Sequence, residues 1–222
     1  MITFKNFDLS INESVKSDPK ESRHYFDLDD TLIHHDNSKL RIHVHDQNNK
    51  KVRTLTSSEF NSHQLPPGHA YNFSEFKSSK VFGESSKPIH KMIAKLKSIH
   101  KNGGSAEILT ARSDFDDKDG FAHHMKKYGI DPGEIHVRRA GNMVGVKTPK
   151  AKAAIISQAI HEHGLKKVHL YDDHPDNLSE FLKLKSKHPD VELHAHHVQH
   201  DPETGDVNVT KTSVIPKEKK NA

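Results

Sequence analysis

The sequence predicts an α/β fold: a three-layer sandwich whose mainly parallel, five-stranded sheet is covered by helices on both faces, with one small cap inserted. Three observations lead there. Apolar runs of strand length alternate with amphipathic stretches of helix length, as in a mainly parallel sheet buried on both sides. The helical stretches carry proline near their starts and glycine after their ends. Three of the strands run into acidic or hydroxyl side chains, in the place where open α/β sheets hold ligands.

"RHYFDL" (23 to 28) reads as the first strand. "LRIHVHDQNNKKVRTLT" (40 to 56) alternates at Leu40, Ile42 and Val44, crosses a polar tip and alternates again, which predicts a β-hairpin. The polar stretch after it, with "PPG" at 66 to 68 and the aromatics Tyr71, Phe73 and Phe76, suits a lid. A helix is expected from Pro88, with Ile89, Met92, Ile93, Leu96 and Ile99 on one face and Gly103 as its stop. "SAEILTA" (105 to 111) is a strand, "GFAHHMKKYG" (120 to 129) a helix and "EIHVRR" (134 to 139) a strand. The next helix takes Thr148 as N-cap, Pro149 as its first residue, Ile155, Ile156, Ala159 and Ile160 as its apolar face, and Gly164 as terminator. "KKVHLYDD" is a strand ending in acids, and a short helix from about Asp176 to Leu184 and the strand "DVELHAHHV" (190 to 198) complete the unit.

A chain of 222 residues suits one domain with an insertion, since one substantial core absorbs that length. We divide it into an N-terminal extension (1 to 22), the α/β domain (23 to 200) with its cap at 36 to 87, and a C-terminal hairpin or flexible tail (201 to 222). Residues such as "NESVKSDPKES" and "KEKKNA" read as solvated. The formal charge of +4 is compatible with an anionic partner but is too small and too spread to indicate nucleic acid by itself. With no cysteine, thiol catalysis, disulfides and cysteine zinc sites are excluded. No run of about 18 apolar residues exists and "MITFKNFDLS" lacks a signal peptide's apolar core, so a cytoplasmic protein without membrane contact is expected. The 21 histidines, including "HEH" at 161 to 163 and "HAHH" at 194 to 197, form no HExxH or similar frame and read as solvated.

"HYFDLDDTLIHHD" (24 to 36) holds four carboxylates, Asp27, Asp29, Asp30 and Asp36, with no lysine or arginine among them. Like charges at the end of an apolar strand repel one another and are costly to bury, so a cation is expected there. If the strands ending at Asp27 and Asp29, at Thr110, and at Asp172 and Asp173 are neighbours, they bring these groups to one crevice. The ligands are hard oxygens, which favours magnesium over zinc. Asp30 and Asp36 read as turn residues. Arg112 either reaches substrate or pairs with Asp114 or Asp116.

The same residues resemble a family. "FDLDDTL" matches the first motif, DxDx[TV], of the haloacid dehalogenase (HAD) superfamily of phosphohydrolases, as Asp27, Asp29 and Thr31. "ILTAR" looks like its second motif at Thr110, and "LYDD" resembles its acidic fourth motif at Asp172 and Asp173. The likeness covers about residues 23 to 198. The family's third motif is a lysine near the start of the helix before the fourth strand, where the sequence offers Lys147, Lys150 and Lys152. Lys152 lies three and four residues before Ile155 and Ile156, on the sheet-facing side, whereas Lys150 is turned away by about 200° at about 100° per residue. We therefore select Lys152.

The resemblance implies a magnesium-dependent phosphomonoester hydrolase. Asp27 would be the nucleophile and Asp29 the general acid and base. Thr110, Ala111 and Lys152 would hold the phosphoryl oxygens, and Asp27, Asp29, Asp172 and Asp173 the magnesium. The expected substrate is a small phosphorylated metabolite or nucleotide. The chain is also loosely similar to the 3′-phosphatase domain of phage polynucleotide kinase-phosphatases, although no GxxxxGK[ST] occurs in it. A phosphatase of nucleic-acid 3′ ends is one alternative, and a non-catalytic HAD-fold binding module is another. Lys50, Lys51 and Arg53 at the hairpin tip, with Tyr71, Phe73 and Phe76 behind them, would suit base stacking, but the aromatics read first as the cap's own small core.

Overall fold

A computed structural model describes residues 21–36, 38–201 and 203–216. The N-terminal extension up to residue 20 and the "KEKKNA" tail lie outside them. In chain order the elements are β1 (Ser22–Phe26), β2 (Ile33–His35), β3 (Ile42–His45), β4 (Lys51–Leu55), α1 (Ser57–Ser62), β5 (Ala70–Asn72), α2 (Ser74–Lys77), α3 (Ser79–Ser85), β6 (Ser86–Pro88) and α4 (His90–Lys101). They continue with β7 (Ser105–Thr110), α5 (Lys118–Lys127), β8 (Val137–Arg139), α6 (Thr148–His163), β9 (Lys167–Asp172), α7 (Pro175–Leu182), β10 (Glu192–His200) and β11 (Val207–Ile215).

The main sheet has six strands in the order β11-β10-β9-β1-β7-β8. All neighbours pair parallel except β10 and β11, which are antiparallel. Alternation along the strands divides the core between the two faces. Phe26 and Ile108 join Met92, Ile93 and Leu96 of α4 and Phe121 and Met125 of α5. Tyr25, Leu109, Leu170 and Leu193 join Ile156, Ala159 and Ile160 of α6 and Leu178 and Phe181 of α7 on the other side. Helices on both faces of a mostly parallel sheet are the predicted mixed α/β class, but the sheet has six strands rather than the expected five, because β11 adds to one edge as the second arm of a hairpin with β10.

The insertion is closed at its base by β2 and β6, which pair antiparallel with Ile33 opposite Pro88 and His35 opposite Ser86. Its body is a three-stranded antiparallel sheet, β4-β3-β5, so the expected hairpin is present as β3 and β4. The stretch after it folds into α1, β5, α2 and α3 rather than an irregular lid. Phe60, Tyr71 and Phe76 pack against Ile42, Val44 and Leu55, and the rings of Phe60 and Tyr71 stand 4.8 Å apart. These aromatics form the small core of the insertion.

Several boundaries differ from the sequence reading for local reasons. Pro88 ends β6 instead of opening α4, which starts at His90; a proline without an N–H is also at home in the last position of an edge strand. Thr148 is already helical, with Lys147 in the N-cap position, while Gly164 ends α6 at φ 60° as expected. The helix expected from Gly120 starts at Lys118, because the Asp117 carboxylate accepts from Gly120 N at 2.9 Å as an N-cap. The strand expected from Glu134 is shortened to Val137–Arg139, since Glu134 and Ile135 hydrogen-bond back to Asp131 O. Among the described residues, no helix is long and apolar enough to cross a membrane.

Candidate functional site

The central strands β9, β1 and β7 are neighbours and parallel, so their carboxyl ends open on the same side. Asp27 follows β1, and its backbone N–H donates to Tyr171 O at 2.8 Å. Asp172 ends β9, Asp173 follows it and Thr110 ends β7. The chain then turns sharply after β1: Leu32 and Ile33 both donate to Leu28 O, and Asp30 adopts φ 55°. Asp30 is thus a turn residue, as is Asp36, whose carboxylate accepts from Ser38 N and Oγ.

Lys152 lies in the first turns of α6 and is only 1% exposed, whereas Lys150 faces solvent. Its ammonium donates to Asp27 Oδ1 at 2.6 Å and to Asp172 Oδ2 at 2.7 Å. Burial alone would favour the uncharged amine, but Asp172 and Asp27 outweigh it and hold the Lys152 pKa above its ordinary value. Asp172 is fixed further by His174 N at 2.9 Å and by Asn177 Nδ2 at 2.8 Å on Oδ1. Asn177, itself buried, was not visible as a site residue in the sequence; its only signal is a place five residues after Asp172, in the first turn of α7.

Asp27, Asp172 and Asp173 offer carboxylate oxygens that all lie within 4.8 Å of one another. One ammonium faces three carboxylates. Burial pushes the Asp27 carboxyl up despite Lys152, with Asp172, Asp173 and Asp29 adding to the rise. Asp173 is pushed up to about 7 by burial and then by Asp172 and Asp30. Uncompensated negative charge among hard oxygen donors fits a divalent cation, and the cluster could hold a metal ion.

The side chain of Asp29 is turned elsewhere. Its carboxylate accepts from Arg112 Nε and Nη2 at 3.0 Å and 2.7 Å and lies 2.7 Å from His35 Nε2. Burial would raise this carboxyl, but the guanidinium and the imidazole hold it well below the usual carboxylate range. The expectation of four carboxylates gathered on one metal is corrected accordingly: three converge, and a guanidinium occupies the fourth. Arg112 is also corrected, since its partner is Asp29, while Asp114 pairs with Arg139 at 3.1 Å. Arg112 reaches the insertion as well, donating from Nη1 to Phe76 O at 2.7 Å with its guanidinium carbon 4.8 Å from the Phe76 ring centre. His35 completes the group. Its Nε2 also lies 2.9 Å from Arg112 Nη2, and its Nδ1 lies 2.9 Å from the Ser85 hydroxyl.

Thr110 is fully buried, and its Oγ accepts from Arg112 N at 3.1 Å. Ala111 is exposed. The loop from Ala111 to Ser113 is braced by Gly141, where a Cβ would lie 2.3 Å from Ala111 O and 2.5 Å from Ser113 N. A glycine in "RRAGN" carries no such message in the sequence.

The structure therefore defines a mixed α/β protein with a buried, lysine-bridged carboxylate cluster at the carboxyl ends of its central strands. The chain matches no protein-family model and no curated protein.

Proposed function

We propose that the chain is a magnesium-dependent phosphomonoester hydrolase of the HAD type, acting on a small phosphorylated metabolite or nucleotide. The observation that carries this reading is the bridge from Lys152 to Asp27 and Asp172, with Thr110 on the strand next to Asp27. A cation, a hydroxyl and a carboxylate nucleophile side by side suit a phosphoryl group.

Asp27 would attack phosphorus and form an aspartyl-phosphate, dividing the hydrolysis into two easier steps. Lys152 would hold the equatorial oxygens with Thr110 Oγ and the backbone at Ala111. Asp29 would give a proton to the leaving oxygen and take one from the attacking water. Arg112 and His35 keep Asp29 ionised in the present arrangement, which suits the second step. For the first step the fork must loosen, and its bond to Phe76 O ties that movement to the insertion. Magnesium held by Asp27, Asp172 and Asp173 would supply charge neutralisation for the carboxylates and the phosphoryl oxygens.

The aromatic residues of the insertion are engaged with one another, which favours the small-substrate reading over base stacking along a nucleic-acid strand. A screen of sugar phosphates, nucleotides and 3′-phosphorylated oligonucleotides, with and without magnesium, tests it. Turnover confined to oligonucleotides, falling steeply with salt, would replace this substrate class with the nucleic-acid one.

A further inference from the structure

The histidines expected to be solvated include a buried group on the main sheet. His24 on β1, His169 on β9 and His194 on β10 stand in register across three parallel strands, and His196 follows His194 by two positions on the same face. His169 and His194 are 4% and 3% exposed, so water is largely excluded. The rings are layered, with centroids 4.1 Å apart for His24 and His169 and 4.2 Å for His169 and His194.

One nitrogen each from His169, His194 and His196 lies within 4.8 Å of the others. His169 Nδ1 and His196 Nε2 face each other at 3.1 Å. This is a hydrogen bond between the two rings; an ion taking the place of its proton, with zinc–nitrogen bonds of about 2.0–2.1 Å, would set the two nitrogens roughly 3.3 Å apart. His194 directs Nε2 at Glu192 Oε1. A carboxylate on one ring nitrogen fixes the tautomer and leaves the lone pair of Nδ1 for a metal. The rings are stacked in near-parallel planes, so they would tilt out of the stack for their in-plane lone pairs to converge on one ion.

We propose that His169, His194 and His196 form a second cation site, chemically distinct from the carboxylate cluster, which takes a divalent ion of the zinc class. Imidazole donors suit zinc and its neighbours, whereas the hard oxygens around Lys152 suit magnesium. The three side chains come from adjacent strands, so a bound ion would pin β10 to β9. Lys95 opposes added positive charge at His24 and His196. Lys167 also opposes a cation here, but it is paired with Glu192 at 3.1 Å.

The test is a metal count. Chelator-stripped full-length protein is equilibrated with zinc in excess magnesium, freed of unbound ions and analysed for zinc. One zinc per chain is expected in the wild type and in Asp173→Asn, which weakens only the carboxylate cluster. His169→Phe keeps a ring in the stack and should lower zinc affinity at least about a hundredfold. His196→Gln, at a less buried position, should lower it at least about tenfold, and it decides the matter if His169→Phe does not fold. A wild type that retains no zinc, or equal retention in both histidine variants, would overturn the proposal and leave a stack of rings only. Phosphatase activity does not enter this readout, so its outcome is independent of the proposed reaction.

Discussion

Arg112 and Asp29, 83 residues apart in sequence, meet as a guanidinium fork on a carboxylate, with Nε and Nη2 both donating to Oδ1 at 3.0 Å and 2.7 Å. Arg112 is buried to 3% exposure, while the Asp29 side chain keeps 25%, so solvent reaches the pair from the carboxylate's side. It joins the end of β7, the turn after β1 and the insertion through Phe76 O.

Removing the fork should destabilise the protein and raise the Asp29 pKa. Asp29 is held below its unfolded value, so its stabilising contribution is present above about pH 4 and lost as pH falls through the folded pKa. Arg112→Ala should cost about 2–3 kcal/mol at pH 7, less than for a fully buried pair because the Asp29 side chain is 25% exposed. Thermal melts from pH 3 to 8 check this: the variant's curve should be flatter on its acid side than the wild type's.

Lys152→Ala should lower the catalytic rate by two or more orders of magnitude, about 3 kcal/mol of transition-state stabilisation. Lys150→Ala should cost little, since that side chain faces solvent. Lys152→Arg should recover only part of the loss, because a planar fork does not reproduce a compact ammonium between two carboxylates. Rates for the three variants under saturating magnesium provide the comparison.

The buried histidines should make the protein acid-sensitive. The pKa values of His24, His169 and His196 are lowered in the fold, so the unfolded chain takes up protons below about pH 6.5 that the folded chain refuses. Stability should be at full strength above pH 6.5 and fall as pH drops towards 4. His24→Phe, which retains an aromatic ring, should reduce that fall; melting temperatures that do not change between pH 7 and 5 would contradict the burial argument.

Gly141→Ala should disturb the site without touching a charged group. The new Cβ meets backbone atoms of Ala111 and Ser113, which cannot rotate away. The loop carrying Arg112 must shift, so turnover should fall at least about tenfold while far-UV circular dichroism stays native; unaltered turnover would show that the loop yields without cost.

The elements most legible in the sequence were those with strong local signals. Apolar periodicity and Gly164 located α6, and the same periodicity placed Lys152 rather than Lys150 in the crevice. Acids at strand ends identified Asp27, Asp172 and Asp173. What stayed hidden depends on register and long-range pairing. Strand alternation cannot reveal that His24, His169 and His194 fall side by side, because that needs the pairing of β1, β9 and β10. Arg112 had two acids close by in sequence, yet Asp29 is its partner because β7 and β1 are adjacent. The role of Gly141 arises only from the approach of another loop.

The central claim, that Asp27 is the nucleophile of a magnesium-dependent phosphatase, is tested most directly by hydrolysis of a generic aryl phosphate by wild type and Asp27→Asn. The wild type should lose turnover with chelator and regain it with magnesium, while Asp27→Asn, folded by circular dichroism, should remain inactive under both conditions. Turnover by Asp27→Asn equal to the wild type's, or a wild type inactive with magnesium across aryl, sugar and nucleotide phosphates, would contradict it.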